Sequence, residues 1–353
     1  MIVILVMGRQ IKLMSQQRLG FSAEQLIEIT SFVNKKEYNI LKSQLVQVSN
    51  VAGVSIANYN PGSYIADGFP LRLSGSPKES GIDGSTIVKV ESNYFNLMNI
   101  QQLLGEAVNS SMEDKNNVIL SRCAVDKLGL SNPIGEKIYY SGTLKDYLVV
   151  GVVDDVQYRS FREKPRPIIY SLGINGGNPV IRLLKGDHRN TISAIKDKWN
   201  TLFPDRPFDF SFFNAKIEGN YKYETNLLRM LNILMIISIV IAAVGIYGLI
   251  IEIVIQRTKE IGIRKVNGAR IAEVIRLLNI EFVKWVFIAF VIATPIAWFA
   301  MHRWLENFAY KTELSWWIFA LAGLLALGIA LLTVSWQSWK AATRNPVEAL
   351  RYE

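Results

Sequence analysis

The stretch MLNILMIISIVIAAVGIYGLIIEIVIQRTKEIGIRKVNGAR, residues 230–270, changes character at Gln256. Up to that point Glu252 is its only charged residue; beyond it come Arg257, Lys259, Glu260, Arg264, Lys265 and Arg270. A hydrocarbon core about 30 Å thick needs roughly 20 apolar residues in a helix. Residues 230–255 meet that requirement and are read as a membrane-crossing helix. Two more apolar runs follow. One is 285–301 (WVFIAFVIATPIAWFAM), which 277–284 extends through the interface; the other is 314–339 (LSWWIFALAGLLALGIALLTVSWQSW), which carries no charge. The spans are therefore placed at about 230–255, 279–301 and 314–339.

Whole-chain composition agrees with a protein made of two kinds of sequence. The 353 residues are 50% hydrophobic and 20% charged, with a net charge of +9. Residues 20–226 have the polar, mixed composition of a water-exposed domain, and 227–353 hold the apolar runs. Seven of the eight tryptophans fall in that second part, several near span ends, as interfacial belts require. The run MIVILVM at 1–7 is only about 10 Å long as a helix, and Arg9 and Lys12 follow it at once. It has neither the basic region nor the cleavage site of a signal peptide. It is read as the remnant of a first transmembrane helix, so 1–19 forms a remnant and stalk.

Orientation follows from the basic residues of the short loops. The 256–276 loop carries Arg257, Lys259, Arg264, Lys265, Arg270 and Arg276; the 302–313 loop carries Arg303 and Lys311. The 340–353 tail adds Lys340, Arg344 and Arg351. The first loop and the tail are thus expected in the cytoplasm, and the 20–226 domain on the other side of the membrane. Within the spans, Ala322, Ala326 and Ala330 form a small-residue face suited to close helix packing. Glu281 and Lys284 are expected to pair at helical spacing. Glu252 is expected to snorkel or to pair with Arg257, and Pro295 either kinks its span or is simply tolerated.

In the outer domain, two strand–helix–strand patterns stand out: 26–30, 35–48 and 54–58, then 180–184, 190–203 and 208–213. Paired units of this kind predict a ferredoxin-like α+β layer. Between them lies a β-rich lobe with strands near 85–90, 117–120, 137–140, 147–153 and 167–170, and short helices near 93–99 and 121–128. The membrane part is all-α. Chemistry is sparse. His188 and His302 are the only histidines and Cys123 the only cysteine, which excludes an intrachain disulfide and a Cys-rich metal site. Cys123 is read as a small buried hydrophobe. Asp154 and Asp155, ending the LVVGVV strand, are read as solvated turn acids, with cation binding the alternative. The chain has no GxxxxGK[ST] phosphate loop. Its basic residues form no stripe with interleaved aromatics, so nucleic acid is excluded as a partner.

The loop QRTKEIGIRKVNGA (256–269) and the tail AATRNPVEALRYE (341–353) resemble the cytoplasmic loop and C-terminal ending of FtsX/MacB-type ABC transporter permeases. In the outer domain YFNLMNIQQLLGE (94–106), AVDKLGLSNPIGEKI (124–138) and VVGVVDDVQYRSFREKPRPIIY (149–170) are similar to the periplasmic core domain of the same family. The likeness covers almost the whole chain. It departs at the start, where the family has a complete first helix of four.

The resemblance implies a non-catalytic permease subunit of a mechanotransmission ABC system in the bacterial inner membrane. It would itself need no cofactor, because the ATP is bound by a cytoplasmic ABC ATPase. It would pair with itself or with a second permease half, and outside with a periplasmic adaptor or an outer-membrane channel, for efflux or envelope transport. The ATPase-coupling loop would comprise Glu260, Ile261, Gly262, Ile263, Arg264, Lys265, Gly268, Ala269 and Arg270. Ile261 and Ile263 would supply apolar anchors, the charged residues the register, and Gly262 and Gly268 the close approach and the turn. The alternative within the same resemblance is an FtsX-like scaffold that activates a cell-wall hydrolase.

Overall fold

The computed structural model describes residues 1–256, 263 and 271–342, apart from 64, 66, 67, 107, 110, 111, 114 and 115. The chain divides into two compact units, Gln16–Lys222 on one hand and Met1–Ser15 with Tyr223–Glu353 on the other.

The first unit is α+β. Its layer begins with β1 (Leu26–Ile29), α2 (Lys35–Leu45) and β3 (Val51–Ala57), and closes with β11 (Gly176–Leu183), α5 (Arg189–Leu202) and β12 (Phe210–Phe212). The strands lie in the order β12-β1-β11-β3, each antiparallel to its neighbour, as a ferredoxin-like layer demands. A two-residue strand β2 (Val33–Asn34) pairs with β11 ahead of α2. Asn34 caps α2 in a reciprocal box, accepting from the Glu37 N–H while the Glu37 carboxylate accepts from the Asn34 N–H. Apolar residues of α2 and α5 then cover one sheet face: Tyr38, Leu41, Leu45, Ile195 and Trp199 pack on Ile27, Ile29, Val54, Ile56 and Ile181.

The inserted lobe forms something sequence patterning does not predict. Strands β4 (Phe69–Leu73), β5 (Ile82–Val90), β7 (Asn117–Ser121), β8 (Lys137–Tyr140), β9 (Lys145–Val153) and β10 (Ile168–Leu172) close on themselves. The circuit is β5-β4-β8-β9-β7-β10, and β10 pairs in parallel with β5 to complete it. A six-stranded barrel results, with no free edge among these strands. Leu71, Val118, Leu120, Ile138, Tyr140, Val149 and Ile169 form its core. β6 (Gln102–Gly105) lies against β9. The covering helices α3 (Tyr94–Met98) and α4 (Arg122–Leu128) end on left-handed Asn99 and Gly129 respectively. β4 and β6 fall outside the strands expected from sequence. The expected 208–213 strand is shorter, because Phe213 opens a helix, α6 (Phe213–Gly219).

The second unit holds α1 (Ile2–Ser15), α7 (Lys222–Gln256), α8 (Ile271–Leu305) and α9 (Trp316–Ala342). Three helical segments are long and apolar enough to cross a membrane: Lys222–Ile253, Phe282–Leu305 and Trp316–Trp336. Large apolar side chains such as Ile241, Val244, Phe287, Ile292 and Leu332 are exposed along them, which suits surfaces bathed in lipid. Ala322 and Ala330 are buried, and the ring of Phe290 sits over Gly323, where a Cβ would approach it to 2.9 Å. Small residues thus let α8 and α9 approach closely. Pro295 lies within an unbroken α8. The helix expected over 1–7 continues to Ser15. Its Ile2, Val6 and Met7 pack with Met301, Leu305, Ile318 and Ala322.

The ladder between β11 and β3 depends on Gly177, where a Cβ would lie 2.1 Å from the Ala57 carbonyl oxygen. That backbone cannot step aside without breaking the sheet. Gly177→Ala is therefore expected to cost about 2–3 kcal/mol, a heavy case of overpacking, measured as a lowered midpoint in chemical denaturation of the purified chain.

Candidate functional site

Of the nine residues expected to couple to an ATPase, Ile263 lies among the described residues; it is helical and 53% exposed. Glu260, Ile261, Gly262, Arg264, Lys265, Gly268, Ala269 and Arg270 lie outside them, as does the tail from residue 343. The flanks of the loop are defined. At the end of α7 the Gln256 amide donates to the Glu252 carboxylate at 2.9 Å, so Glu252 has a partner one turn away. Ile250, Phe282 and Val334, one from each long helix, pack together, and the Asn279 amide donates to the Ser335 hydroxyl at 2.9 Å. The three helices are thereby tied near the two ends of the loop. The side chain of Glu281, and with it the expected pair to Lys284, lies outside the described residues.

A second polar clamp lies on α1. Gln10 is fully buried; its amide donates to the Tyr310 carbonyl at 2.7 Å, and its side-chain oxygen accepts from the Thr312 N–H at 2.8 Å. Both groups belong to the 306–315 connection between α8 and α9. The Arg9 guanidinium lies 5.2 Å from the centre of the Trp317 ring. One side chain thus satisfies two backbone groups of a loop that no secondary structure serves.

The densest polar cluster of the outer unit surrounds Glu28, whose side chain is 1% exposed. Glu28 sits in the middle of β1, opposite Val180 on one side and Ser211 on the other. Its carboxylate accepts from Asn60 at 3.0 Å, from Asn178 at 3.1 Å and from the Lys216 ammonium of α6. Lys216 also donates to the Ser63 hydroxyl at 3.1 Å, and Asn60 accepts from the Tyr94 hydroxyl at 3.0 Å. Burial holds the phenols of Tyr94, Tyr158 and Tyr170 well above the ordinary tyrosine range, so they stay protonated. Gly62 is at φ +82°, and a Cβ there would lie 3.2 Å from that of Lys216. The 60–63 turn therefore closes over the lysine stem only with glycine at its tip. On β11, Arg182 donates to the carbonyls of Leu97 at 2.6 Å and of Ser22 and Glu24 at 3.2 Å each, which holds the chain segment that leads into β1. Tyr94, Tyr158 and Tyr170 lie within the stretches quoted for the resemblance, but Glu28, Asn60, Asn178, Arg182 and Lys216 carry no role read from sequence. The one visible signal was an acid inside the apolar strand LIEI.

The remaining candidates resolve into structure. Asp155 accepts from the Cys123 N–H at 2.8 Å at the start of α4, and Asp154 faces Arg122 at 3.4 Å. Burial raises the Asp155 carboxyl above its usual value. The Cys123 thiol is half-buried, donates to the Pro165 carbonyl at 3.1 Å, and is likewise raised by burial. No cluster of three or more metal-ligating side chains occurs among the described residues.

Comparison with known proteins places this architecture. Residues 1–173 match the MacB-like periplasmic core domain, and residues 232–346 match the FtsX-like permease C-terminal domain. The macrolide export ATP-binding/permease protein MacB of Neisseria gonorrhoeae is 25% identical over 312 residues, covering 82% of this chain and 47% of that protein. An uncharacterized ABC transporter permease of Bacillus subtilis, YknZ, is 28% identical over 117 residues, which is 33% of this chain and 30% of that one. The crystal structure of the periplasmic region of MacB from Actinobacillus actinomycetemcomitans covers 57% of this chain and 95% of its own, at 12% identity and a TM-score of 0.42. The chain spans about half the length of the MacB relatives it matches.

Replacing Gln10 by Leu keeps the bulk of the side chain but strands the Tyr310 carbonyl and the Thr312 N–H. A loss of about 1–3 kcal/mol per orphaned group is expected. Thermal unfolding of the detergent-solubilised chain would read it as a lowered midpoint, with hydrogen exchange rising first in 306–315.

Proposed function

We propose that this chain, whose outer segment belongs to the MacB-like periplasmic core domain family and whose membrane segment belongs to the FtsX-like permease family, is the permease subunit of an ABC transporter that works by carrying motion outward. ATP is bound and hydrolysed by a partner ATPase in the cytoplasm, and the chain itself is non-catalytic. The observation that carries the reading is the order of parts along the chain. A core domain of this family leads directly into α7, and α7 ends on the basic loop between two spans.

Physical features support each step. α7 is one helix of 35 residues, about 52 Å at 1.5 Å per residue, which exceeds a hydrocarbon core of about 30 Å. A rod of that length reaches past the bilayer without a flexible joint. At its far end, Ile261 and Ile263 stand among Arg257, Lys259, Glu260, Arg264 and Lys265, a pattern suited to a short helix seated in a groove of a partner. When two ATPase domains close on nucleotide, loops seated in them are displaced. The long helices then carry that displacement as rigid-body or hinge motion to the outer domains. The basic bias of the 256–276 loop and the tail puts them in the cytoplasm and the 20–226 domain outside the bacterial inner membrane. The working unit is a dimer, of this chain with itself or with a second permease half. Outside, the moving domain acts on an adaptor or an outer-membrane channel, in efflux or envelope transport.

Two measurements test the reading. Gly262→Asp with Ile263→Asp is expected to abolish co-purification of the ATPase while insertion in the membrane stays normal; unaltered association would refute the coupling role. In a Cys123→Ser background, a membrane-impermeant thiol reagent added to intact spheroplasts is expected to label Leu144→Cys, which replaces a residue 74% exposed on the outer domain, and to spare Ile263→Cys. Equal labelling of both would overturn the topology.

A further inference from the structure

We infer that the outer unit binds one water molecule in its interior, held between the Thr86 hydroxyl of β5 and the side-chain oxygen of Gln157. The water clasps the connection between β9 and β10 to the pair of strands that closes the barrel.

The parallel pairing that completes the barrel starts where Ile168 meets Thr86, and the Thr86 N–H donates to the Pro167 carbonyl at 3.1 Å. The chain arrives there from residues 154–167, which form neither helix nor strand. Gln157 organises that connection. It is 7% exposed, and its amide nitrogen donates to the carbonyls of Ser160 at 3.1 Å and Glu163 at 3.2 Å. Both side-chain N–H groups are thereby engaged, and what remains is the amide oxygen, an acceptor. That oxygen is buried, and so is the hydroxyl of Thr86, a residue 8% exposed; neither meets a hydrogen-bonding group among the described residues. Thr86 and Gln157 line one cavity of about 20 Å³, with Val156, Tyr158 and Ile168 among its walls.

The chemistry of the two oxygens selects the occupant. Leaving a buried acceptor unpaired carries its full desolvation cost, so the occupant must donate to Gln157. The Thr86 hydroxyl can donate or accept. A cation would meet Arg159, Lys164 and Arg166, which line the same cavity, and an anion would face the lone pairs of the Gln157 oxygen. A neutral donor that can also accept fits both positions. Size then decides: one water needs about 10–15 Å³ of such space and at least two polar partners, which this cavity offers, while an organic ligand of several heavy atoms would not fit. Beside the hydroxyl, Gly68 lies flat on the Ser85–Thr86 peptide, where a Cβ would come 1.6 Å from the Ser85 carbonyl oxygen and 2.9 Å from Thr86 Oγ1. Glycine there lets the backbone cover the hydroxyl. The water donates to Gln157 and accepts from Thr86, joining an irregular connection to a barrel strand.

Two measurements on the full chain test this. A crystal structure at a resolution that shows ordered solvent is expected to place one peak within about 2.5–3.2 Å of both Thr86 Oγ1 and Gln157 Oε1. No peak there would overturn the site, and so would a peak ringed by several oxygens at about 2.3–2.6 Å, the mark of a bound cation. The second measurement is hydrogen exchange of the detergent-solubilised chain. Thr86→Val keeps the shape of the side chain and removes the hydroxyl, so the water loses one of its two anchors. Exchange across 156–168 is expected to quicken about 5-fold, what one hydrogen bond is worth, with β1 and α2 unchanged. Thr86→Ser retains the hydroxyl and is expected to exchange as the parent does. The sign separates a wet site from a dry one, because removing a hydroxyl that has no partner relieves a cost. Exchange in Thr86→Val that is unchanged or slower would overturn the water, as would equal quickening in Thr86→Ser, which would assign the effect to the lost methyl group.

Discussion

A carboxylate taken out of water must find a countercharge and fill its remaining acceptor sites, and Glu28 has to do both in the middle of a strand. Hydrogen bonds from Asn60 and Asn178 and the Lys216 ammonium answer that need. Much of the outer unit's order follows. The acid fixes the 60–63 turn, which must have glycine at position 62 to admit the lysine stem. It ties β11 to β1 by a side-chain bond in addition to the ladder. It also gives α6 one seat, because any other placement would leave a buried ion unpaired. Apolar residues in place of both Glu28 and Lys216 could pack comparably, since buried ion pairs are often no more stabilising than well-packed hydrophobes. What the pair adds is uniqueness: the outgoing helix has a single register on the sheet.

The membrane unit follows the opposite logic. Its helices satisfy their own backbone groups, and hydroxyls such as Ser238, Thr294 and Thr333 donate back to carbonyls one turn earlier. Lipid removes the hydrophobic drive for helices to associate, so close approach at small residues carries the packing. Gly323 under Phe290 and the buried Ala322 and Ala330 meet that condition. Polar groups are used sparingly, at positions where they bind irregular backbone or a neighbouring helix: Gln10 on the 306–315 connection, and Asn279 on Ser335.

Much of this architecture can be read from residue patterns, for definite reasons. The three spans are visible because hydrocarbon thickness imposes a minimum apolar length, and the ferredoxin-like layer because its strands and helices carry strict periodicities of two and of 3.6. The barrel is not visible. Its closure depends on the parallel pairing of Ile168–Leu172 with Thr86–Val90, a contact between residues far apart in sequence that no local pattern encodes. β4 reads FPLRL, with a proline and an arginine among its apolar residues, and lies hidden in a Gly- and Pro-rich stretch. α6 escapes because its first residue, Phe213, completes an aromatic run that resembles a strand. Of the candidate residues, the loop motif is legible by resemblance alone. Glu28, Lys216, Arg182 and Gln10 are not, since each gains its meaning from a partner between about 100 and 300 residues away, as Gln10 from Tyr310.

The two units are stiff in different ways. A helix resists bending over its whole length because every turn is hydrogen-bonded to the next, whereas a sheet resists shear in proportion to the number of strands that share it. Packed interiors do not deform continuously but shift between discrete arrangements. The layer and the barrel share one sheet, because β5 continues it from β3 through Val90 and Ala57. Placing the charge on β1 rather than on β12 ties α6 to a strand that is paired on both sides.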